Sequence, residues 1–139
     1  MSIEIDKLFV YGTLLKNFDN EMAVYLKNNS VFLGKGFFRG KLFDLGEYPG
    51  AIYEPASDYK VYGNIFELKN ITATLGKLDE YEEVGDKYGK PNEYRREIID
   101  IFYNDSVIKC WVYLFNRDTK NYPQIISGGY LGFQNKNVL

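Results

Sequence analysis

Residues 8–15, with the sequence LFVYGTLL, contain backbone groups that could take part in chemistry. The apolar beginning of this stretch predicts a buried strand that runs into a Gly-Thr turn. A strand that ends in this way leaves several backbone N–H groups without ladder partners, and such an array can hold a carboxylate or an oxyanion. Gly12 permits close approach because it carries no side chain. On this motif alone, an ordinary loop after a hydrophobic strand is the simpler interpretation.

A second candidate is a run of acids at the end of a predicted helix, where residues 79–83 contain four carboxylates. The spacing of Leu75, Leu78 and Glu82 places these three on one side of the helix, so Glu82 extends an apolar stripe toward the interior. Desolvation and the negative end of the helix dipole would raise the pKa of Glu82, which suits a general base working near neutral pH. Gly85 is predicted to end the helix. The other acids of the run are predicted to be solvated and to have no chemical role, namely Asp79, Glu80 and Glu83.

The chain has no histidine and a single cysteine, which restricts the chemistry available to it. Without histidine, Ser-His and Cys-His nucleophilic pairs and the commonest zinc ligand are absent. We therefore expect no metal and no cofactor, with any proton transfer performed by Asp, Glu, Tyr or Lys. Cys110 lies in an apolar run and is predicted to be a buried, inert thiol.

The composition is that of a folded protein, with 45% hydrophobic and 17% aromatic residues. A length of 139 residues predicts one domain that spans residues 1–139. The 13 Tyr and 10 Phe favour a β-rich core. A net charge of −2 without a basic patch argues against nucleic acid or an anionic membrane as a partner. Neither a secretory signal nor a membrane-length apolar stretch is seen, so we expect a cytoplasmic location.

The residue pattern predicts an α+β arrangement of two helices and six strands. The helices are predicted at residues 20–28 and 72–81, and the strands at residues 7–11, 31–43, 51–53, 61–68, 93–103 and 107–115. Gly34, Gly36 and Gly40 inside the second strand predict bends or bulges, as in a small, tightly curved barrel. Asn104 and Asp105 predict the turn of a hairpin between the last two strands.

Taken in order, these blocks resemble the γ-glutamylcyclotransferase-like family. Members of that family carry a Tyr-Gly-Thr-Leu strand end, then a Leu-Asp-x-x-Glu segment, then a strand that begins near Tyr-x-Arg. The corresponding segments here are YGTL at residues 11–14, LDEYE at 78–82 and YRR at 94–96. YPGA at residues 48–51 also looks like a family segment. SGGY at residues 127–130 departs from the family pattern, because Gly129 stands where an acid is common.

The resemblance implies a small mixed β-barrel flanked by short helices, and it implies a reaction. The α-amino nitrogen of a small-molecule γ-glutamyl substrate attacks the substrate's own side-chain carbonyl. The products are 5-oxoproline and a free amine or amino acid. Because the nucleophile lies within the substrate, the protein needs no Ser or Cys nucleophile and no metal.

The resemblance also implies roles for particular residues. Glu82 would accept the proton of the substrate ammonium and return it to the departing nitrogen. Backbone N–H groups around Gly12, Thr13 and Leu14 would hold the substrate's α-carboxylate or its carbonyl oxygen. The remaining candidates for substrate binding, with simple packing as the alternative, are Tyr11, Tyr113 and Tyr130.

Arg95 and Arg96 open the fifth predicted strand. They could face a carboxylate on the leaving group, or they could pair with the acids at residues 79–83. For an isolated Arg pair at the start of a strand, structural ion pairing is the simpler prediction.

Three other functions compete with this interpretation. The same pocket could hold a γ-glutamyl or related amino-acid ligand without turnover. An aromatic-rich barrel could bind single-stranded nucleic acid by stacking, although the acidic balance argues against it. Glycoside hydrolysis by paired carboxylates has little support, because the acids cluster locally. Neither the leaving amine nor the oligomeric state follows from the sequence, and the loop at residues 86–92 is the predicted place for the choice of leaving amine.

Overall fold

The computed structural model of the chain describes residues 4–12 and 21–130. Its strands are β1 (Lys7–Val10), β2 (Ser30–Asp44), β3 (Pro49–Tyr53), β4 (Lys60–Leu68), β5 (Tyr94–Tyr103) and β6 (Ser106–Phe115). Its helices are α1 (Glu21–Asn28) and α2 (Ile71–Tyr81). The bounds of all these elements lie within two residues of the predicted ones. Neither helix of the described ranges is long and apolar enough to cross a membrane.

Five of the strands close into a barrel in the order β2-β4-β1-β6-β5. The ring closes where Phe37 of β2 pairs with Phe102 of β5. β1 and β6 run parallel while the other neighbours run antiparallel, so the barrel is mixed. β3 pairs with residues 40–44 of β2 and extends the sheet beyond the ring. The predicted α+β fold, a small mixed barrel with two short helices, is therefore confirmed.

β2 is the long, bent strand that connects the barrel to its extension. It pairs with β4 through residues 30–39 and with β3 through residues 40–44. The register of the β2–β4 pair shifts between Phe32 and Gly34, and Gly34 has a φ of 153°. A bulge at this point bends the strand and increases its twist, as closure of a small barrel requires. The irregularity predicted from the glycines is thus present at Gly34.

β1 is buried on both faces and separates two apolar clusters. Phe9 and the following Tyr11 lie in the cluster that fills the barrel. Leu8 and Val10 lie in the other cluster, which includes leucines of both helices. This division follows from the strand geometry, in which successive side chains point to opposite faces. The end of β1 therefore lies where the barrel core and the helix layer meet.

β5 and β6 form the hairpin that the sequence predicts. Their register runs without interruption from Tyr94 opposite Phe115 to Tyr103 opposite Ser106. The two turn residues have positive φ angles, 47° at Asn104 and 62° at Asp105. A two-residue turn of type I′ needs positive φ at both positions, and Asn and Asp tolerate it better than most residues.

Cys110 lies on β6 with its side chain in the barrel core. Its exposed fraction is 0%, and burial raises the pKa of the thiol to about 12. A thiol with such a pKa stays protonated and unreactive at neutral pH. The predicted buried cysteine is confirmed.

Residues 116–130 follow the barrel wall without forming a strand. The Ile125 N–H donates to the Leu42 carbonyl at 2.7 Å, and the Tyr62 N–H donates to the Gly128 carbonyl at 2.9 Å. These two bonds hold the segment against β2 and β4. Gly128 has a φ of 74°, a left-handed conformation that favours glycine.

We expect Gly128→Ala to reduce the free energy of unfolding by about 2–4 kcal/mol. An added Cβ would lie 1.8 Å from the Lys60 carbonyl oxygen, and the positive φ adds strain. Urea unfolding followed by circular dichroism measures the loss.

The matched control for this substitution is Gly129→Ala, because an added Cβ there meets nothing within 4 Å. We expect this neighbouring change to alter stability by no more than about 0.5 kcal/mol. Equal losses in the two variants would contradict the close approach at Gly128.

Candidate active site

A cavity of about 360 Å³ opens at the end of β1, between the last turn of α2 and the segment that precedes β3. Its polar lining consists of two glutamates and five tyrosines, namely Glu47, Glu82, Tyr11, Tyr48, Tyr81, Tyr94 and Tyr113. Its apolar lining is Leu8, Phe9, Val10, Gly12, Pro49 and Leu78. None of these described lining residues is a cation. Within residues 4–12 and 21–130, no three His, Cys, Asp or Glu side chains lie close enough together to hold a metal ion.

Glu82 is placed by the way in which α2 ends. The Glu82 N–H donates to the Leu78 carbonyl at 2.8 Å, so Glu82 still belongs to the last turn. Glu83 then takes a left-handed conformation with a φ of 55°. Its N–H donates to Glu80 O at 3.2 Å, and the Val84 N–H donates to Asp79 O at 2.8 Å. This pair of bonds is a Schellman motif, which ends the helix before Gly85, the residue predicted to end it.

The side chain of Glu82 continues the buried face of α2, as its spacing predicts. Leu78 is 0% exposed, and Glu82 lines the cavity beside it. Burial, with a further contribution from the charge of Glu93, raises the pKa of the Glu82 carboxyl to about 7. Among the described residues, no hydrogen bond or ion pair neutralises this carboxylate. A carboxyl group in this state can both accept and release a proton near neutral pH.

Tyr11 forms part of the cavity wall. Its hydroxyl donates to the Tyr113 carbonyl and accepts a hydrogen bond from the Ala51 N–H at 3.2 Å. Burial raises the pKa of this hydroxyl well above its usual range. The hydroxyl proton is therefore committed to the backbone, and Tyr11 presents mainly its ring to the cavity.

Gly12 lies against Pro49, the first residue of β3. A Cβ added at Gly12 would lie 2.9 Å from Cγ of Pro49, so the close contact needs glycine. Thr13 and Leu14, which were predicted to bind substrate with Gly12, lie outside the described residues.

Tyr113 and Tyr130 occupy different positions relative to the cavity. Tyr113 lines it, and its hydroxyl donates to Oδ1 of Asp79 at 2.7 Å. Tyr130 is buried in the barrel core and is not among the described lining residues. Its hydroxyl donates to the Glu47 carbonyl at 3.1 Å and so supports the cavity wall from behind.

The prediction that Asp79 is solvated is wrong. Asp79 accepts two hydrogen bonds from Arg96, at 2.7 and 3.0 Å, in addition to the one from Tyr113. The pairing predicted for the arginines is confirmed for Arg96, whereas Arg95 instead contacts Glu97 at 3.2 Å. A signal for Asp79 was present in the sequence, because it lies three residues before Glu82 and therefore on the same helix face.

Tyr48, Glu93 and Tyr94 also belong to the site, although sequence reasoning did not select them. Tyr94 donates from its hydroxyl to the Pro49 carbonyl at 2.6 Å. Tyr48 donates to Oε2 of Glu93 at 2.8 Å, and burial together with this partner raises the pKa of the Tyr48 hydroxyl to about 12. Tyr48 and Tyr94 both stand within the motifs that carry the family resemblance, which was the available signal.

Residues 8–132 match the sequence profile of a family described as gamma-glutamyl cyclotransferase, AIG2-like. The fold is similar to that of an AIG2-like protein from Mus musculus, with a TM-score of 0.70 and 21% identity over 92% of this chain and 89% of that one. It is also similar to ytfP from Escherichia coli, with a TM-score of 0.64 and 27% identity over 92% and 98% of the two chains.

YkqA from Bacillus subtilis is a longer protein with a similar fold. Its TM-score is 0.70, with 22% identity over 95% of this chain. The present chain spans only 42% of the length of YkqA. The search of curated proteins found no match.

We expect Glu82→Gln to stabilise the protein at alkaline pH. The pKa of the Glu82 carboxyl rises from 4.5 to about 7 on folding, so the native state retains a proton that the unfolded chain loses in this range. Stability therefore falls as pH rises from 4.5 to 7, and the variant escapes this loss. The free energy of unfolding of the variant should exceed that of the wild type by about 3 kcal/mol at pH 8 and by almost nothing at pH 4.

Urea unfolding at the two pH values measures this difference. Glu80→Gln is the control, because Glu80 is exposed on the same helix. Parallel pH dependence of the wild type and Glu82→Gln would contradict the burial of the carboxylate.

Proposed function

Because the chain belongs to the AIG2-like gamma-glutamyl cyclotransferase family, we propose that it cleaves a γ-glutamyl amide by cyclising the glutamyl group. The α-amino nitrogen of the substrate forms a bond to the γ-carbonyl carbon and gives a tetrahedral intermediate. The bond from that carbon to the amide nitrogen then breaks. The products are 5-oxoproline and a free amine or amino acid. No covalent bond to the protein is needed at any step.

The observation that carries this proposal is the desolvated Glu82 carboxyl group in the cavity, with its raised pKa. The substrate nitrogen arrives as an ammonium ion and must lose a proton before it can attack. Glu82, with a pKa of about 7, takes this proton at physiological pH and returns it to the nitrogen of the leaving amine. The lack of a counter-ion among the described lining residues keeps the carboxylate basic.

The other lining groups shape the substrate for ring closure. Backbone N–H groups around Gly12, with those of Thr13 and Leu14 that follow it in the sequence, bind the α-carboxylate or the developing oxyanion. The rings of Tyr11 and Tyr113 confine the bent substrate. Tyr130 acts indirectly, through the Glu47 carbonyl that it holds. By holding the reacting atoms together, these groups lower the entropic part of the barrier to cyclisation of an open-chain substrate.

The size and chemistry of the cavity support a small substrate. A volume of about 360 Å³ lies at the lower end of the range for small-molecule sites. The loop at residues 86–92 lies beyond Glu82 in the sequence and is the proposed place where the leaving amine is selected. The Asn92 side chain braces it through bonds to the Gly85 N–H at 2.9 Å and the Gly89 carbonyl at 3.0 Å.

The proposal is tested by measuring 5-oxoproline release from a panel of γ-glutamyl amines and γ-glutamyl amino acids. We expect the wild type to release product from at least one compound. Glu82→Gln should lower kcat by about 10²–10⁴-fold, because the general base is removed while the volume is kept. Glu80→Gln is the matched control and should retain wild-type activity.

The pH profile of kcat/KM provides a second test. We expect activity to rise with pH through an apparent pKa of about 7, because only the ionised Glu82 accepts the proton. A ligand that raises the Tm of both the wild type and Glu82→Gln without product formation would instead indicate a binding protein. Equal turnover by both proteins would show that another group is the base.

A further inference from the structure

Asp79 and Arg96 form a two-point ion pair beside the cavity. Nε of Arg96 donates to Oδ1 of Asp79 at 2.7 Å, and Nη2 donates to Oδ2 at 3.0 Å. The side chains are only 22% and 25% exposed for Arg96 and Asp79, respectively. A bidentate pair of this kind is stronger and more directional than an exposed ion pair. It joins the last turn of α2 to β5 of the barrel.

The guanidinium of Arg96 is itself held in one orientation. It lies over the ring of Trp111, with 4.3 Å between Cζ and the ring centroid. Nε1 of Trp111 donates to the Ile5 carbonyl at 2.9 Å, which fixes the ring. Because the plane of the guanidinium is fixed, the position of the Asp79 carboxylate is fixed as well.

Tyr113 connects this ion pair to the cavity. Its hydroxyl donates to the same Oδ1 of Asp79 that Arg96 binds, and its ring lines the cavity together with Glu82. Its carbonyl accepts the hydroxyl of Tyr11. A continuous set of hydrogen bonds therefore runs from β5 through α2 and β6 to the end of β1.

We propose that Asp79 and Arg96 are positioning residues for Glu82. The pair holds the last turn of α2 so that the Glu82 carboxylate faces the cavity, and its opposite charges cancel beside that carboxylate. Residues three apart on a helix lie on one face, with about 5–6 Å between their Cβ atoms. An unpaired charge on Asp79, or on the Arg96 guanidinium that binds it, would therefore act on Glu82. The inference rests on the proposed function only for its consequence in catalysis.

The cancellation of charge between Asp79 and Arg96 matters because the other groups that face Glu82 are negatively charged or neutral. From the described elements these groups are Tyr11 after β1, Glu47 and Tyr48 before β3, Glu93 before β5, Tyr94 on β5 and Tyr113 on β6. If Asp79 lost its partner, a further carboxylate would act on Glu82 and oppose its ionisation. If Arg96 lost its partner, a cation would favour ionisation of Glu82 and make it a weaker base.

The test is a ¹³C NMR titration of the Glu82 carboxyl, with its signal assigned by its absence in Glu82→Gln. We expect Arg96→Gln to raise the pKa of Glu82 and Asp79→Asn to lower it, each by about half a unit or more. The double variant, which is again neutral at this place, should return to the wild-type value. Asp100→Asn, which breaks the exposed ion pair with Lys109, is the matched control and should leave the titration unchanged.

Loss of structure alone would not shift the pKa of Glu82 in opposite directions in the two single variants. Shifts of the same sign, or none, in folded Arg96→Gln and Asp79→Asn proteins would overturn the proposal. If a single variant does not fold, Arg96→Lys and the double variant take its place, since both preserve charge neutrality. If the pKa of Glu82 shifted by half a unit or more in either of these two variants, the proposed cancellation of charge would be overturned.

Kinetics then separates the geometry of the pair from its charge. Arg96→Lys keeps the charge but cannot hold both carboxylate oxygens, so we expect kcat to fall about tenfold or more with KM little changed. Unchanged kcat in this variant would overturn the positioning role. If the wild type releases no 5-oxoproline, the proposed function fails. The titration still decides whether the ion pair influences the pKa of Glu82.

Discussion

Burial of β1 on both of its faces is the constraint on which the rest of the structure depends. The strand is only four residues long, yet it contributes Phe9 to the barrel core and Leu8 and Val10 to the layer under the helices. Its two edges are occupied by β4 and β6. The chain therefore has to leave the sheet at the rim of the barrel. That exit places Tyr11 and Gly12 beside the last turn of α2, where the cavity forms.

The cavity contains a carboxyl group whose ionised form is disfavoured by its surroundings. Glu82 stands at the negative end of the α2 dipole, is half-buried, and has the charge of Glu93 nearby. Each of these factors raises the free energy of the ionised form. The helix end stays in place because Leu75 and Leu78 are buried beneath it and Asp79 is fastened to the barrel. Stabilisation by these neighbours offsets the local cost of the site, a balance common where perturbed groups have a function.

Tyrosine hydroxyls supply many of the polar contacts that a histidine-free chain has to make. Near the cavity they donate to backbone carbonyls, which belong to Tyr113, Pro49 and Glu47. Their donors are Tyr11, Tyr94 and Tyr130, respectively. Each bond joins residues that are distant in sequence, so the hydroxyls connect loops to the barrel as well as satisfying buried acceptors. The high tyrosine content thus has a structural explanation beside any contact with substrate.

Local patterns in the sequence sufficed for the elements and for the position of Glu82. Helical spacing put Glu82 on the buried face of α2, and Asn104-Asp105 specified a hairpin turn, because both depend on residues a few positions apart. The partner of Asp79 did not follow from such patterns, since Arg96 reaches it only after β5 has closed onto β2 and α2 has packed on the barrel. The left-handed conformation of Glu83, two residues before Gly85, also escaped prediction, because glycine is the residue that usually takes this conformation at a helix end. Spacing along the chain thus assigned side chains to faces, whereas contacts between distant segments decided which of those side chains meet and how far each is desolvated.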